Sequence, residues 1–238
     1  MLKPSTRHQS FSSPIVRTAL IPVFTALSLA TNYAMIDIPN VKLMDAFVFI
    51  AAFLFGLEVG LGTAISIWAV YGFINPYGQD DLTLLLFLMT GECLYALAGA
   101  LLSRTSIARE LIAKLIQTRT IDSQSIEYGM DPEMGTLSQI TTRARNLLNN
   151  ARPYRNMSLL FGLIGFQATF AYDVLTNFGS WVFKTNSLYQ ALVVGMITGV
   201  PFAILHEASN LVFFATVVPP AIAAAKRVGL QIRQQRVP

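Results

Sequence analysis

Charge is scarce in this chain. Only 13% of its 238 residues are Asp, Glu, Lys or Arg, about half the roughly 25% of an ordinary soluble domain. Cysteine is nearly missing as well: Cys93 stands alone, which excludes a disulfide framework and any cysteine-rich zinc or iron–sulfur site. A net charge of +4, with the basic residues flanking apolar runs, is a poor basis for a nucleic-acid surface. No phosphate-binding G-x-x-x-x-G-K-[ST] loop and no G-x-S-x-G nucleophile elbow occurs. His206-Glu207-Ala208-Ser209-Asn210 begins like the zinc-protease H-E-x-x-H but ends in Asn, so one of two helix-borne ligands is lacking. The sequence therefore nominates no catalytic residue, no metal and no cofactor.

What is abundant is apolar surface, 53% of residues, enough to exclude a disordered chain. It is unevenly spread. The segment 103–155 holds 13 of the 30 charged residues, and the flanking runs approach the 20 uncharged positions that a bilayer core about 30 Å thick requires. Thr18 to Met35 carries no charge and is longer than the apolar core of a cleaved signal peptide, so it reads as a retained span. Ala46 to Ile74 would make a helix of about 44 Å, too long for one upright crossing, and reads as two short helices turning at Gly56 and Glu58. Leu82 to Leu102 and Met157 to Phe183 are further spans. Leu188 to Ala225 would reach about 57 Å unbroken, so a bend or break is expected at Gly199-Val200-Pro201.

The expected fold is an all-α polytopic membrane protein with six transmembrane helices. Lysine and arginine set its orientation, because cytoplasmic loops are enriched in them. With both termini cytoplasmic, fifteen basic residues fall inside and only Lys42 and Lys184 outside. A single crossing over 46–74 would move the eight basic residues of the polar segment to the wrong side. The division is then a cytoplasmic N-terminal segment 1–17, helices one to four in 18–102, a helical cytoplasmic insert 103–155 between helices four and five, helices five and six in 156–226, and a tail 227–238. In the insert, Ser106 can cap a helix with Ile107, Leu111, Ile112, Leu115 and Ile116 as its apolar stripe. Residues 122–135 read as a loop and 136–150 as a second helix. The hairpin either lies on the anionic lipid leaflet or docks a partner.

Charges within the bilayer cost about 2.5–3.5 kcal/mol each on the gentlest scale, so they face the bundle interior and find partners. Glu92, Asp173, His206 and Glu207 are these residues. Asp173 and Asn177 share one helix face by i, i+4 spacing, as do His206 and Asn210, and the two faces can meet in one polar pocket. The same groups could instead serve helix packing alone, or form the centre of a membrane-embedded hydrolase or transferase. Two loops, one with Asn40 and Lys42 and one with Tyr77, are suited to closing over a small molecule. Trp68, Tyr71, Tyr172 and Trp181 read as interface-belt aromatics. On the first helix Thr18, Pro22, Ala26, Ala30 and Ala34 recur every fourth residue, a small-residue ridge that admits a closely packed helix.

These parts together resemble the substrate-binding S component of energy-coupling factor (ECF) transporters. The likeness covers roughly residues 18–102 and 157–226. It rests on Ile38-Pro39-Asn40-Val41-Lys42-Leu43-Met44-Asp45, Phe55-Gly56-Leu57-Glu58-Val59-Gly60, Asn75-Pro76-Tyr77-Gly78, Gly199-Val200-Pro201-Phe202 with Leu205-His206 and Asn210, and the Ala26-x-x-x-Ala30 pattern. The resemblance implies a multi-pass plasma-membrane subunit that binds a vitamin or related micronutrient at the outer side. A transmembrane T component and two ATPase subunits would supply the energy, with Ala26, Ala30 and Ala34 as the docking ridge. It also implies a site formed by the outer ends of helices four to six and the first outer loop; the candidate substrate-binding residues are Asn40, Lys42, Tyr77, Glu92, Asp173, Asn177, His206 and Asn210. The long polar insert departs from the family's usually short link between helices four and five.

Overall fold

The computed structural model describes residues 13–74, 81–127 and 136–230. They form helices α1 (Pro14–Ala34), α2 (Met44–Phe55), α3 (Leu57–Ile74), α4 (Leu82–Arg104), α5 (Ser106–Glu127), α6 (Thr136–Gly179), α7 (Leu188–Thr216) and α8 (Val218–Arg227). No strand occurs among the described residues. Among the described residues, five segments are long and apolar enough to cross a membrane: α1, α3, α4, the Tyr154–Gly179 part of α6, and α7 with α8. The protein is thus a helical membrane protein. The 12-residue α2 is shorter than a span but apolar and buried along nearly its whole length.

The break expected within 46–74 falls at Gly56, whose φ of 99° lies where only glycine is comfortable. It separates α2 from α3, and the two helices pack on each other and on α4. Phe49, Phe161 and Phe214 bring α2, α6 and α7 to one centre, with ring centroids 5.7 and 5.1 Å from Phe49. Edge-to-face contacts of this kind add about 0.5–1.5 kcal/mol beyond burial. Arg17 pairs with Glu58 at 3.1 Å, fastening the start of α1 to that of α3. Asp81 caps α4 by accepting from the Leu84 N–H at 2.9 Å and lies 3.5 Å from the Lys184 ammonium. These two partners, the backbone N–H first, hold its carboxyl below the usual carboxylate range.

Several expectations change. The chain runs helical through Pro201 and breaks at Val217 instead, where α8 begins with proline in its first turn. There a missing N–H is no loss, whereas Pro201 removes one bond that a long membrane helix tolerates. The second insert helix and the fifth span are one continuous helix, α6, about 66 Å long at 1.5 Å per residue, ending at Gly179 rather than Phe183. Residues 122–127 belong to α5 rather than to a loop, while 128–135 lie outside the described residues. Thr105, not Ser106, caps α5 through the Ala108 N–H. Ala108, Ile112 and Leu115 are buried against the chain's own α6 and α8, whereas Ile107 faces outward. Most of the α5 stripe is therefore covered from within the molecule, with Ile107 left outside.

Helix backbones approach closely at Gly99 of α4, where an added Cβ would collide with the carbonyl oxygen of Phe49. At Gly62 a Cβ would meet only the tip of the Ile21 side chain, at 2.5 Å. Gly99→Ala should therefore cost about 1–3 kcal/mol, as overpacking against rigid atoms does. Gly62→Ala should cost clearly less, read as melting temperatures in the same detergent. Equal losses would contradict the assigned α2–α4 contact.

Candidate functional site

One end of the bundle gathers the C-terminal ends of α1, α3 and α6 and the N-terminal ends of α2 and α4, with α7 alongside. They enclose a cavity of about 430 Å³. The segment before α2 closes over it by a turn at Asn40, whose φ of 57° is a left-handed conformation that asparagine accepts more readily than most residues. Asn40 and Lys42 thereby reach the cavity wall, opposite Asp173 and Asn177 of α6. Trp68, Tyr71 and Tyr172 supply aromatic surface. The Lys42 ammonium lies 5.1 Å from the Trp68 ring centroid and 5.8 Å from that of Tyr172, within cation–π range of both.

Beneath the cavity is a buried polar floor. His206 of α7 places Nε2 2.7 Å from Asp45 Oδ2 and Nδ1 2.9 Å from Asp173 Oδ1. Satisfying both contacts requires either an imidazolium donating twice or a proton on one of the two acids. One turn further along α7, Asn210 donates to Asp45 Oδ2 at 2.6 Å and to Thr169 Oγ1 at 2.8 Å, with the Tyr95 hydroxyl at 3.2 Å. Tyr95 in turn donates to Thr169, which donates to the Gly165 carbonyl. Glu92 of α4 accepts from the Trp68 indole N–H at 3.1 Å, tying floor to wall. Asp45, Glu92, His206 and Asn210 are all at most 1% exposed.

The i, i+4 spacings on α6 and α7 do converge, as the sequence suggested. Asn40, Lys42, Asp173 and Asn177 line the cavity, while Glu92, His206 and Asn210 form its support and do not reach the wall. Tyr77 lies outside the described residues. Glu207 turns away from the floor into a second, smaller cavity of about 170 Å³ between α6 and α7. Trp68, Tyr71 and Tyr172 are not interface-belt residues: each is buried and faces the cavity. Trp181 stays partly exposed, donating to Thr198 Oγ1 at 3.2 Å. Sequence reasoning also missed Asp45, which looked like the last polar residue before an apolar run. Its signal was its place in the first turn of α2, where a carboxylate gains from the helix N-terminus.

No group of three or more acidic, histidine or cysteine side chains suited to a metal occurs among the described residues. Comparison with protein-family models, curated proteins and solved structures finds no match to this chain.

The ridge of α1 has a definite position. Thr18, Pro22, Ala26, Ala30 and Ala34 are all exposed, whereas the opposite face of α1 buries Thr25, Ser28 and Asn32. The ridge is therefore left uncovered by the described residues.

Removing His206 would leave two buried carboxylates facing one another, a loss of about 3–5 kcal/mol. His206→Ala should lower the melting temperature of the detergent-solubilised protein far more than Asn177→Ala at the cavity wall. Similar shifts for both would show that the floor is not the structural joint described here.

Proposed function

We propose that this chain is the substrate-capture subunit of an ECF-type importer, a relative of ABC transporters. It would bind a vitamin or related micronutrient at the outer side for ATP-driven uptake by partner subunits. The observation that carries this reading is the cavity itself. It is concave, aromatic and polar, and is underlain by a buried side-chain network that joins α2, α6 and α7. The volume of about 430 Å³ suits a small molecule and is small for a corrinoid. Both ring nitrogens of His206 are engaged by carboxylates, which favours a supporting role over that of a free general base. On this reading the subunit is not itself an enzyme.

The chain alternates direction on either side of the cavity end through α1, α2, α3, α4, α6 and α7. This is compatible with six membrane segments, α2 being a short one. The scarcity of lysine and arginine near the cavity end favours an outward-facing site, with both termini and the α5–α6 hairpin cytoplasmic. The exposed Ala26, Ala30 and Ala34 ridge would dock the transmembrane T component, and two ATPases would complete the assembly. The α5–α6 hairpin stands on the side where those ATPases would lie, and its own apolar stripe is already covered.

Native mass spectrometry of the gently extracted chain should reveal a copurifying small molecule, retained in the double variant Ala26→Leu, Ala30→Leu. The same variant should lose uptake in cells, because leucine would hold two helix backbones apart where small residues let them touch. Normal uptake by that variant would remove the ridge from the coupling surface, and absence of any bound molecule across several hosts would remove the capture reading.

A further inference from the structure

Two cavity-lining side chains each hold a buried polar atom with no hydrogen-bond partner among the described residues. One is Asp173 Oδ2 and the other is Asn32 Nδ2; both side chains are over nine-tenths buried and both line the cavity. A buried acceptor or donor left without a partner is costly, a charged one most of all. The other Asp173 oxygen is committed to His206, so Oδ2 presents an acceptor of fixed direction. Asn32 presents a donor.

Lys42 shows which charge the site favours. Its ammonium lies against the Trp68 and Tyr172 rings, the arrangement in which aromatic quadrupoles attract a cation. It has no hydrogen-bonded carboxylate of its own among the described residues; the rings hold it, together with its attraction to the buried Asp45. A flexible lysine at the mouth of an aromatic, acid-backed cavity is a cation that another cation can displace.

We infer that the cavity takes a small, flat, positively charged nitrogen compound of heteroaromatic or amidinium type. Its ring lies on Trp68 and Tyr172 where the Lys42 ammonium now sits, an N–H edge donates to Asp173 Oδ2, and an acceptor atom meets Asn32 Nδ2. Lys42 swings out on binding. This assignment rests on the capture reading and adds the charge and shape of the captured molecule.

Three planar probes of one size and different charge test it: benzamidine, benzamide and benzoate. With Trp181→Phe, Trp68 is the single indole of the chain, and its fluorescence reports cavity occupancy in the full-length detergent-solubilised protein. Saturable quenching should favour benzamidine by about tenfold or more over the other two, the worth of one charge-assisted hydrogen bond. Lys42→Ala should tighten benzamidine binding several-fold, and Asp173→Asn should abolish the preference. Because Asp173 also holds His206, Lys42→Ala decides the matter if Asp173→Asn does not fold. Preference for benzoate that vanishes in Lys42→Ala would overturn the inference by making Lys42 an anion-holding residue. Equal quenching by all three, or none at millimolar concentrations, would overturn it too. A neutral or anionic compound copurifying with the protein would sink the charge assignment while leaving the capture reading standing.

Discussion

An imidazole held between two carboxylates is the joint on which this molecule depends. His206 brings α7 to Asp45 at the start of α2 and to Asp173 near the end of α6, residues 161 and 33 positions away in sequence. The twelve residues of α2 are too few to span a bilayer and are buried almost throughout, so the helix needs a lateral anchor that fixes its depth. A charge-assisted contact inside a low-dielectric bundle provides one, because any other depth for α2 would leave Asp45 without partners. Such contacts contribute little net stability compared with apolar packing of the same shape; their effect is to make one register far better than its neighbours. The Phe49, Phe161 and Phe214 cluster then supplies apolar cohesion between the same three helices.

The joint also divides its acids by role. Asp45 is sealed by His206 and Asn210, and Glu92 leans on the Trp68 indole. Asp173 belongs to both floor and wall, giving one oxygen to His206 while the other has no partner among the described residues. A side chain locked by packing and a hydrogen bond on one side is well suited to recognition on the other, since little motion is left to freeze when a ligand arrives. The pairing of Trp68 with Glu92 fixes the aromatic wall in the same way.

Much of this was legible in the sequence. Uncharged runs located the membrane helices because the bilayer forbids charge on any lipid-facing turn, and an excess length over 46–74 demanded the break found at Gly56. The i, i+4 spacing of Asp173 with Asn177 and of His206 with Asn210 placed four polar residues on two converging faces. Asp45 was hidden because a polar residue at the edge of an apolar run looks the same whether it faces water or a buried histidine. The burial of Trp68 and Tyr172 was hidden because helices apolar on all sides carry no periodicity to tell lipid-facing from bundle-facing positions. The joining of 136–150 to the fifth span was hidden because a polar helix and an apolar one can share an uninterrupted backbone, and composition changes without any change of φ and ψ.

On the proposed reading the cavity opens outside the cell, and the α5–α6 hairpin lies in the cytoplasm. A membrane-impermeant maleimide tests this in intact cells with Cys93→Ser as background. Asn40→Cys, on the turn above the cavity, should be labelled before lysis, and Arg109→Cys, on the exposed side of α5, only after it. Labelling of Arg109→Cys in intact cells with Asn40→Cys protected would place the cavity on the cytoplasmic side and contradict the claim.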